Sequence, residues 1–194
     1  MKLLYTKRSP YARKARVIAL EKGIDLEFID EDLANKSKVL LESNPLGKVP
    51  TLILDNGETI FDSVVICQYL DELNDRSPMI PKSGKARYDV LKWEAMSDDM
   101  VTTAINVYME KQRHPNDFHP KFIETGEAAI RKGYEYIEKN IDQLKQFNLA
   151  PVAVASAIGY INFSLPHLNA QGKWGQWFDE ISKRPSMAQT VPVA

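Results

Sequence analysis

Every segment of this chain that reads as a β-strand lies within the first 62 residues, and every strong apolar pattern beyond residue 85 has helical spacing. That split limits the fold to a small α/β unit followed by an all-helical one. Lys2-Leu3-Leu4-Tyr5 is a short apolar strand. Ser9-Pro10 opens a helix, because a serine oxygen accepts from the free N–H groups of a first turn and proline there has no N–H to lose. The helix turns Ala12, Ala15, Ile18 and Ala19 inward and stops at Gly23. In "LEFIDEDL", Leu26, Phe28 and Ile29 supply a second strand, and "NKSKVLLESNP" is a short helix ended by Asn44-Pro45. "PTLILD" and "ETIFD" form a hairpin across Asn56-Gly57, and "SVVICQYLDELN" carries Val65, Ile66, Tyr69, Leu70 and Leu73 at helical spacing. The order is βαβαββα. Strands joined through a helix run parallel and hairpin strands antiparallel, so the sheet is mixed and four-stranded.

"DRSPMIPKSGK" interrupts all periodicity and reads as a linker. Residues 1–78 are expected to form the α/β domain, 79–85 the linker and 86–194 a helical bundle. Helical patterns cover roughly Ala86–Gln112, Lys121–Leu144, Pro151–Leu168 and Trp174–Lys183. In "QFNLAPVAVASAIGY", Asn148 caps a helix that is apolar almost all round, with Phe147 and Val152 at the two positions of a hydrophobic staple. A helix apolar on every face belongs at the centre of a bundle.

A net charge of −1 provides no basic field for nucleic acid or an anionic membrane. The apolar runs fall short of a membrane span and the N-terminus has no secretory apolar segment. One cysteine excludes an internal disulfide framework, which suits a reducing cytoplasm. His114, His119 and His167 lack metal-ligand spacing, so no metal is expected. Cys67 lies among apolar helix positions and is expected to be buried. Arg13, Lys14 and Arg16 are expected on the solvated face of the first helix, and Trp174 and Trp177 as packing anchors.

The most informative stretch is "NPLGKVPTLILDNGETIFDS". Pro50 opens a strand at a position that needs no ladder bond. If the Val49–Pro50 bond is cis, the corner exposes the Val49 backbone, which can then pair with an extended peptide. Ser63 can cap the helix after it and offer that helix's N–H groups to a carboxylate, while Asp62 suits an ammonium. Together they suit a short peptide that is zwitterionic at one end. Ser9 presents its hydroxyl at a helix N-terminus, where an anion is stabilised. By local reasoning it is a cap, or a cap that also holds something negative.

At these residues the chain resembles the cytosolic glutathione S-transferases, in their bacterial serine-type form. "RSPYARKARV" resembles the family's active-site turn, "NPLGKVPTL" its cis-proline loop and "FDSVVICQYLDE" its γ-glutamyl-binding turn; "LAPVAVASAIGY" and "RPSMAQTVP" resemble its bundle helix and C-terminal signature. The resemblance implies a thioredoxin-like N-terminal domain with an all-α C-terminal one, and glutathione as co-substrate. It implies that Ser9 donates to the sulfur and Val49, beside Pro50, bonds the cysteinyl unit. Asp62 and Ser63 hold the γ-glutamyl end, and Lys36 and Lys48 are partners for the glycyl carboxylate. Tyr5 and Tyr11 flank Ser9 and stand as alternative activators, since other classes of the family use tyrosine. Tyr11 and Tyr108 are expected to line a pocket for a small hydrophobic electrophile. A cytoplasmic homodimer is implied, with Asp98 or Asp99 reaching across the interface or standing as solvated helix residues. Two departures stand out: Asp62 where the family often has Glu, and Pro151 where it usually has Asp, which removes a capping pair. A glutathione-binding or protein-interaction module without catalysis, and a glutathione-dependent reductase or isomerase, are the alternatives; Ser9 in place of a cysteine disfavours the reductase.

Overall fold

The computed structural model describes residues 1–113, 115–169 and 172–193. Four strands, β1 (Lys2–Tyr5), β2 (Glu27–Asp30), β3 (Thr51–Ile53) and β4 (Thr59–Ile60), lie in the order β2-β1-β3-β4. β1 runs parallel to β2, with Leu3 opposite Phe28, and antiparallel to β3, with Leu4 opposite Thr51. β3 and β4 form the expected hairpin. Helix α1 (Pro10–Lys22) crosses from β1 to β2; α2 (Lys38–Ser43), capped by Ser37, leads to β3; and α3 (Ser63–Glu72) follows β4. This is the mixed four-stranded sheet the order of elements predicts, in the thioredoxin-like arrangement the resemblance implies.

Residues 73–83 contain no helix or strand; Met79 and Ile80 are buried in the core, and polar contacts hold the segment to α1 and α3. Buried Lys22, at the end of α1, donates to Asp71 Oδ1 (3.0 Å), the Asn74 carbonyl (2.7 Å) and the Arg76 carbonyl (2.9 Å). Asp71 in turn accepts from the Met79 and Ile80 N–H groups at 2.8 and 2.9 Å.

Beyond them come α4 (Gly84–Arg113), α5 (Pro120–Lys139), α6 (Leu149–Ser164), α7 (Gly172–Ser182) and a short α8 (Pro185–Ala188). The pattern over Lys121–Leu144 is one helix and a separate 3₁₀ turn, because the chain leaves helical geometry at Asn140. α6 is buried on nearly every side and packs on α4, α1 and α7. Asn148 caps it by accepting from the Ala150 N–H (2.9 Å), so Pro151 occupies the third helical position, where its missing N–H would have had no intrahelical partner. The first N–H of α6 bonds the Met79 carbonyl at 2.9 Å and joins that helix to the 73–83 segment.

The expectation of a solvated basic face on α1 is wrong for two of its three residues. Arg13 and Lys14 are 2% and 1% exposed. Arg13 reaches the Met187 carbonyl (3.0 Å), Thr190 Oγ1 (3.3 Å) and the Ala155 carbonyl (3.5 Å). Burial, and then Arg16, pull its pKa down to about 10. Lys14 sits between Glu94 Oε1 (2.8 Å) and both oxygens of Asp98 (2.8 and 2.7 Å). Charges that find this many acceptors can leave water, and α1 is the element that joins the sheet to the bundle.

Candidate functional site

The sheet brings three loops to one edge. β1 ends at Tyr5 and leads into the Ser9 turn; β3, antiparallel to it, begins at Thr51, directly after Val49–Pro50. β4 runs antiparallel to β3, so its exit at Phe61-Asp62 returns to the same edge. Segments separated by more than 50 residues therefore meet through strand register alone.

Ser9 is the N-cap of α1. Its Oγ accepts from the Ala12 N–H at 3.1 Å. A serine hydroxyl has one hydrogen and two lone pairs, so a cap that uses a lone pair leaves the O–H able to donate. The neighbouring tyrosines are otherwise engaged. Thr102 Oγ1 donates to the Asp98 carbonyl (2.9 Å), so the 2.7 Å contact between Tyr11 and Thr102 takes the Tyr11 proton. Burial raises the Tyr11 pKa, and the Thr102 bond only partly offsets it. Tyr5 is buried, with its ring edge-on to Phe28 and under the Arg16 guanidinium at 4.6 Å.

Val49–Pro50 is cis, and Val49 is half-buried. The loop before it is braced by Asn44, which the sequence reading treats only as a helix stop. Buried Asn44 donates to the Lys48 carbonyl (3.0 Å) and Thr51 Oγ1 (3.0 Å) and accepts from the Leu46 N–H (2.9 Å). Gly47 adopts φ +54°, and a Cβ there would meet Lys36 Nζ at 3.2 Å. Lys36 thus lies against the loop that carries exposed Lys48.

At the third loop the cap is Asp62, not Ser63. Asp62 Oδ1 accepts from the Val64 N–H (3.1 Å), and Ser63 becomes the first helical residue, buried. Aspartate and serine cap equally well, and the carboxylate stands one residue earlier. Asp62 remains exposed beside the free N–H groups of the first turn of α3.

On the bundle side, Tyr11 reaches Thr102 of α4, Tyr108 is half-buried on α4, and Tyr160 is 7% exposed on α6. Burial raises the Tyr160 pKa, with Arg8 acting against it and the Tyr108 and Tyr11 phenols acting with it. Asp98, expected to be free for a second subunit or for water, is bound to Lys14 of its own chain; Asp99 is exposed. Burial raises the pKa values of Glu94 and Asp98, with Lys14 opposing in both. Cys67 is wholly buried beside this cluster and its thiol is pushed up by desolvation. Trp174 stacks on Tyr134 at 4.1 Å. His119 caps α5 and His167 bonds Glu127, while His114 lies outside the described residues. Among the described residues, no group of three His, Cys, Asp or Glu is placed to hold a metal, and no helix is long and apolar enough to cross a membrane.

Comparison with known proteins adds to this geometry. A family model described as the glutathione S-transferase N-terminal domain matches residues 3–78. The uncharacterized GST-like protein YibF of Escherichia coli is 33% identical over 99% of this chain and 98% of its own. A glutathione transferase family member from Pseudomonas fluorescens Pf-5, solved with bound glutathione, is 33% identical with a TM-score of 0.91, covering 100% of this chain and 99% of that one. Another structure described in the same terms, with bound S-(propanoic acid)-glutathione, is 34% identical with a TM-score of 0.89 over 99% of each chain.

Proposed function

This chain belongs to the glutathione S-transferase family, and we propose that it is a serine-type transferase that ionises the glutathione thiol and joins it to a small hydrophobic electrophile. The observation that carries the reading is Ser9: its oxygen accepts the Ala12 N–H while its own proton remains available, at the sheet edge where the Val49 and Asp62–Ser63 loops also arrive. A hydroxyl donating to a thiolate favours the charged form, and so does the N-terminal end of α1. In this assignment Val49, beside Pro50, pairs through its backbone with the cysteinyl unit. The N–H groups at Ser63 take the γ-glutamyl carboxylate and Asp62 its ammonium. Lys36 and Lys48 face the glycyl carboxylate, and Tyr11 and Tyr108 form part of the electrophile wall.

Chemistry then follows from proximity. The bound thiolate attacks the electrophilic carbon, a carbon–sulfur bond forms, and the leaving group departs with its electron pair. The glutathione thioether bound in the Pseudomonas structure is a molecule of the kind such a step makes. Thiol–disulfide exchange through the enzyme is not supported, because Cys67 is buried and un-ionised. We further assign the division into domains to residues 79–85, and the working form to a cytoplasmic homodimer.

The test is a titration of glutathione into wild type and Ser9→Ala, following thiolate absorbance in the ultraviolet at neutral pH. The reading expects thiolate with wild type only. Binding without ionisation in wild type would instead identify a glutathione-binding module whose Ser9 is only a cap.

A further inference from the structure

We infer that Glu31, a buried carboxylate just past β2, is a positioning residue for Lys36, and through it sets the preference of this site for a ligand with a free C-terminal carboxylate. This rests on the transferase reading and on its placing of Lys36 and Lys48 at the glycyl end.

Glu31 is buried and has no cationic partner among the described residues. Its N–H donates to the Tyr5 carbonyl at 2.8 Å, which ties it to the end of β1. Its side chain is spent on the chain six positions ahead: Oε1 accepts from the Ser37 hydroxyl at 2.8 Å and Oε2 from the Ser37 N–H at 3.4 Å. Ser37 passes the constraint on, because its oxygen caps α2 by accepting from the Leu40 N–H at 3.0 Å. Inside the loop closed in this way, Asp32 accepts from the Ala34 N–H and the Asn35 side-chain amide, both at 2.9 Å. Lys36 therefore has a fixed turn on one side and a fixed cap on the other.

Gly47 shows where that loop sends the lysine. A Cβ on Gly47 would lie 3.2 Å from Lys36 Nζ, so the ammonium rests against bare backbone, one residue before Lys48. Both lysines are exposed, and neither ammonium has an ion pair or a hydrogen bond among the described residues. A lysine ammonium is a compact charge on a flexible stem, so the part of it that can be fixed in advance is its backbone. A held backbone reduces the ordering that binding must impose. The field of Glu31 acts the other way, since a negative charge near the site opposes an incoming anion. Positioning and field thus differ in sign: loss of Glu31 should weaken carboxylate binding if it positions Lys36, and strengthen it if it acts only as a charge.

The test titrates glutathione and glutathione with a C-terminal amide, by calorimetry, into wild type, Glu31→Ala, Glu31→Gln, Ser37→Gly and Lys36→Met. Wild type should bind the carboxylate about tenfold more tightly than the amide, the scale of one charge-assisted hydrogen bond. Lys36→Met should lose most of that ratio. Glu31→Ala should lose most of it too, and adding it to Lys36→Met should remove nothing further. Ser37→Gly breaks the same tie from its other end, alters no charge and leaves a residue tolerated as a cap, so it carries the test if Glu31→Ala does not fold. Its ratio should fall likewise. Glu31→Gln should keep the ratio, because its amide oxygen still accepts from the Ser37 hydroxyl. The amide ligand should bind wild type and the Glu31 and Ser37 variants alike, which also reports that each is folded. A ratio unchanged or raised in Glu31→Ala and Ser37→Gly, or an equal loss of both ligands, overturns the positioning role and leaves Lys36 where it is. Equal affinity of wild type for the two ligands overturns the glycyl assignment and this inference with it, but not the transferase reading. Failure of wild type to bind glutathione overturns that reading as well.

Discussion

Lys14 Nζ on α1 lies 2.8 Å from Glu94 Oε1 on α4, and the two side chains are 1% and 2% exposed. Asp98, one turn further along α4, closes on the same ammonium at 2.7 Å. One positive charge and the Glu94 carboxylate are thus buried between α1 and α4, with the half-buried Asp98 carboxylate beside them. Removing the positive one leaves carboxylates without compensation, so Lys14→Met should cost about 3–5 kcal/mol in urea unfolding. Adding Glu94→Gln to that variant should recover part of the loss, because one unpaired charge goes with it. The pH dependence has a definite sign. Burial lowers the Lys14 pKa, but the Asp98 and Glu94 carboxylates more than reverse this, so it rises above the ordinary 10.5. Its contribution should be complete below that value and fade as pH climbs through the folded one; Lys14→Met should lack this alkaline decline.

Gly159 should not tolerate alanine, although alanine is the better helix former by about 1 kcal/mol. A methyl group there would lie 2.5 Å from the Arg13 guanidinium, which is confined by the Met187 and Ala155 carbonyls. Displacing it should cost more than the propensity returns, for a net loss of about 1–3 kcal/mol. Thermal unfolding of Gly159→Ala, alone and with Arg13→Met, measures this. A penalty that persists in the double variant would place its cause elsewhere.

The order of strands and helices was legible in this chain because each element signals itself locally, through Ser9-Pro10, Asn56-Gly57 or the all-round apolarity of α6. Arg13 and Lys14 were not. Their spacing resembles a wet helix face, and what makes burial possible stands 80 to 177 positions away, at Glu94, Asp98, Ala155, Met187 and Thr190. The alanines and Gly159 of the apolar α6 are the one available trace of that close approach. At the candidate site, Asp62 and Ser63 both carry cap chemistry, and only backbone geometry decides between them. Asn44-Pro45 reads as a helix stop, which says nothing about where the buried Asn44 amide sends its hydrogen bonds.

Asn44→Ala should therefore act on glutathione from a distance. It removes the bonds to the Lys48 carbonyl, Thr51 Oγ1 and the Leu46 N–H, and frees the loop that ends at Val49. KM for glutathione should rise roughly tenfold with a smaller change in kcat, the pattern of lost ground-state positioning. Steady-state kinetics at saturating electrophile would show it. An unchanged KM would remove Val49 from the binding assignment.

Glu21 ties α1 to the C-terminal segment. It accepts from Arg184 Nε at 2.7 Å and Nη2 at 2.6 Å, and from the Ser186 hydroxyl. The Arg184 bonds hold its pKa below the usual 4.5, with burial opposing and Ser186 assisting. A depressed carboxylate stabilises above its unfolded pKa and loses that contribution as pH falls through the folded one. Glu21→Gln should be less stable than wild type at neutral pH, and the gap should narrow below pH 4.5. Paired melting curves from pH 7 to about pH 3 test the sign.

Ser9→Asp separates the two roles given to one hydroxyl. Aspartate caps as well as serine and its charge suits the N-terminus of α1, so stability should change by less than about 0.5 kcal/mol. It has no proton to donate at neutral pH, and its own charge repels a thiolate, so the bound thiol should ionise less readily than in wild type. Ser9→Ala should lose both functions, with about 1 kcal/mol of stability going along with the thiolate. Melting temperature and thiolate absorbance, measured on the same three proteins, then assign the cap and the donor independently. Thiolate formation in Ser9→Asp equal to wild type would mean that the Ser9 hydroxyl does not contact the sulfur.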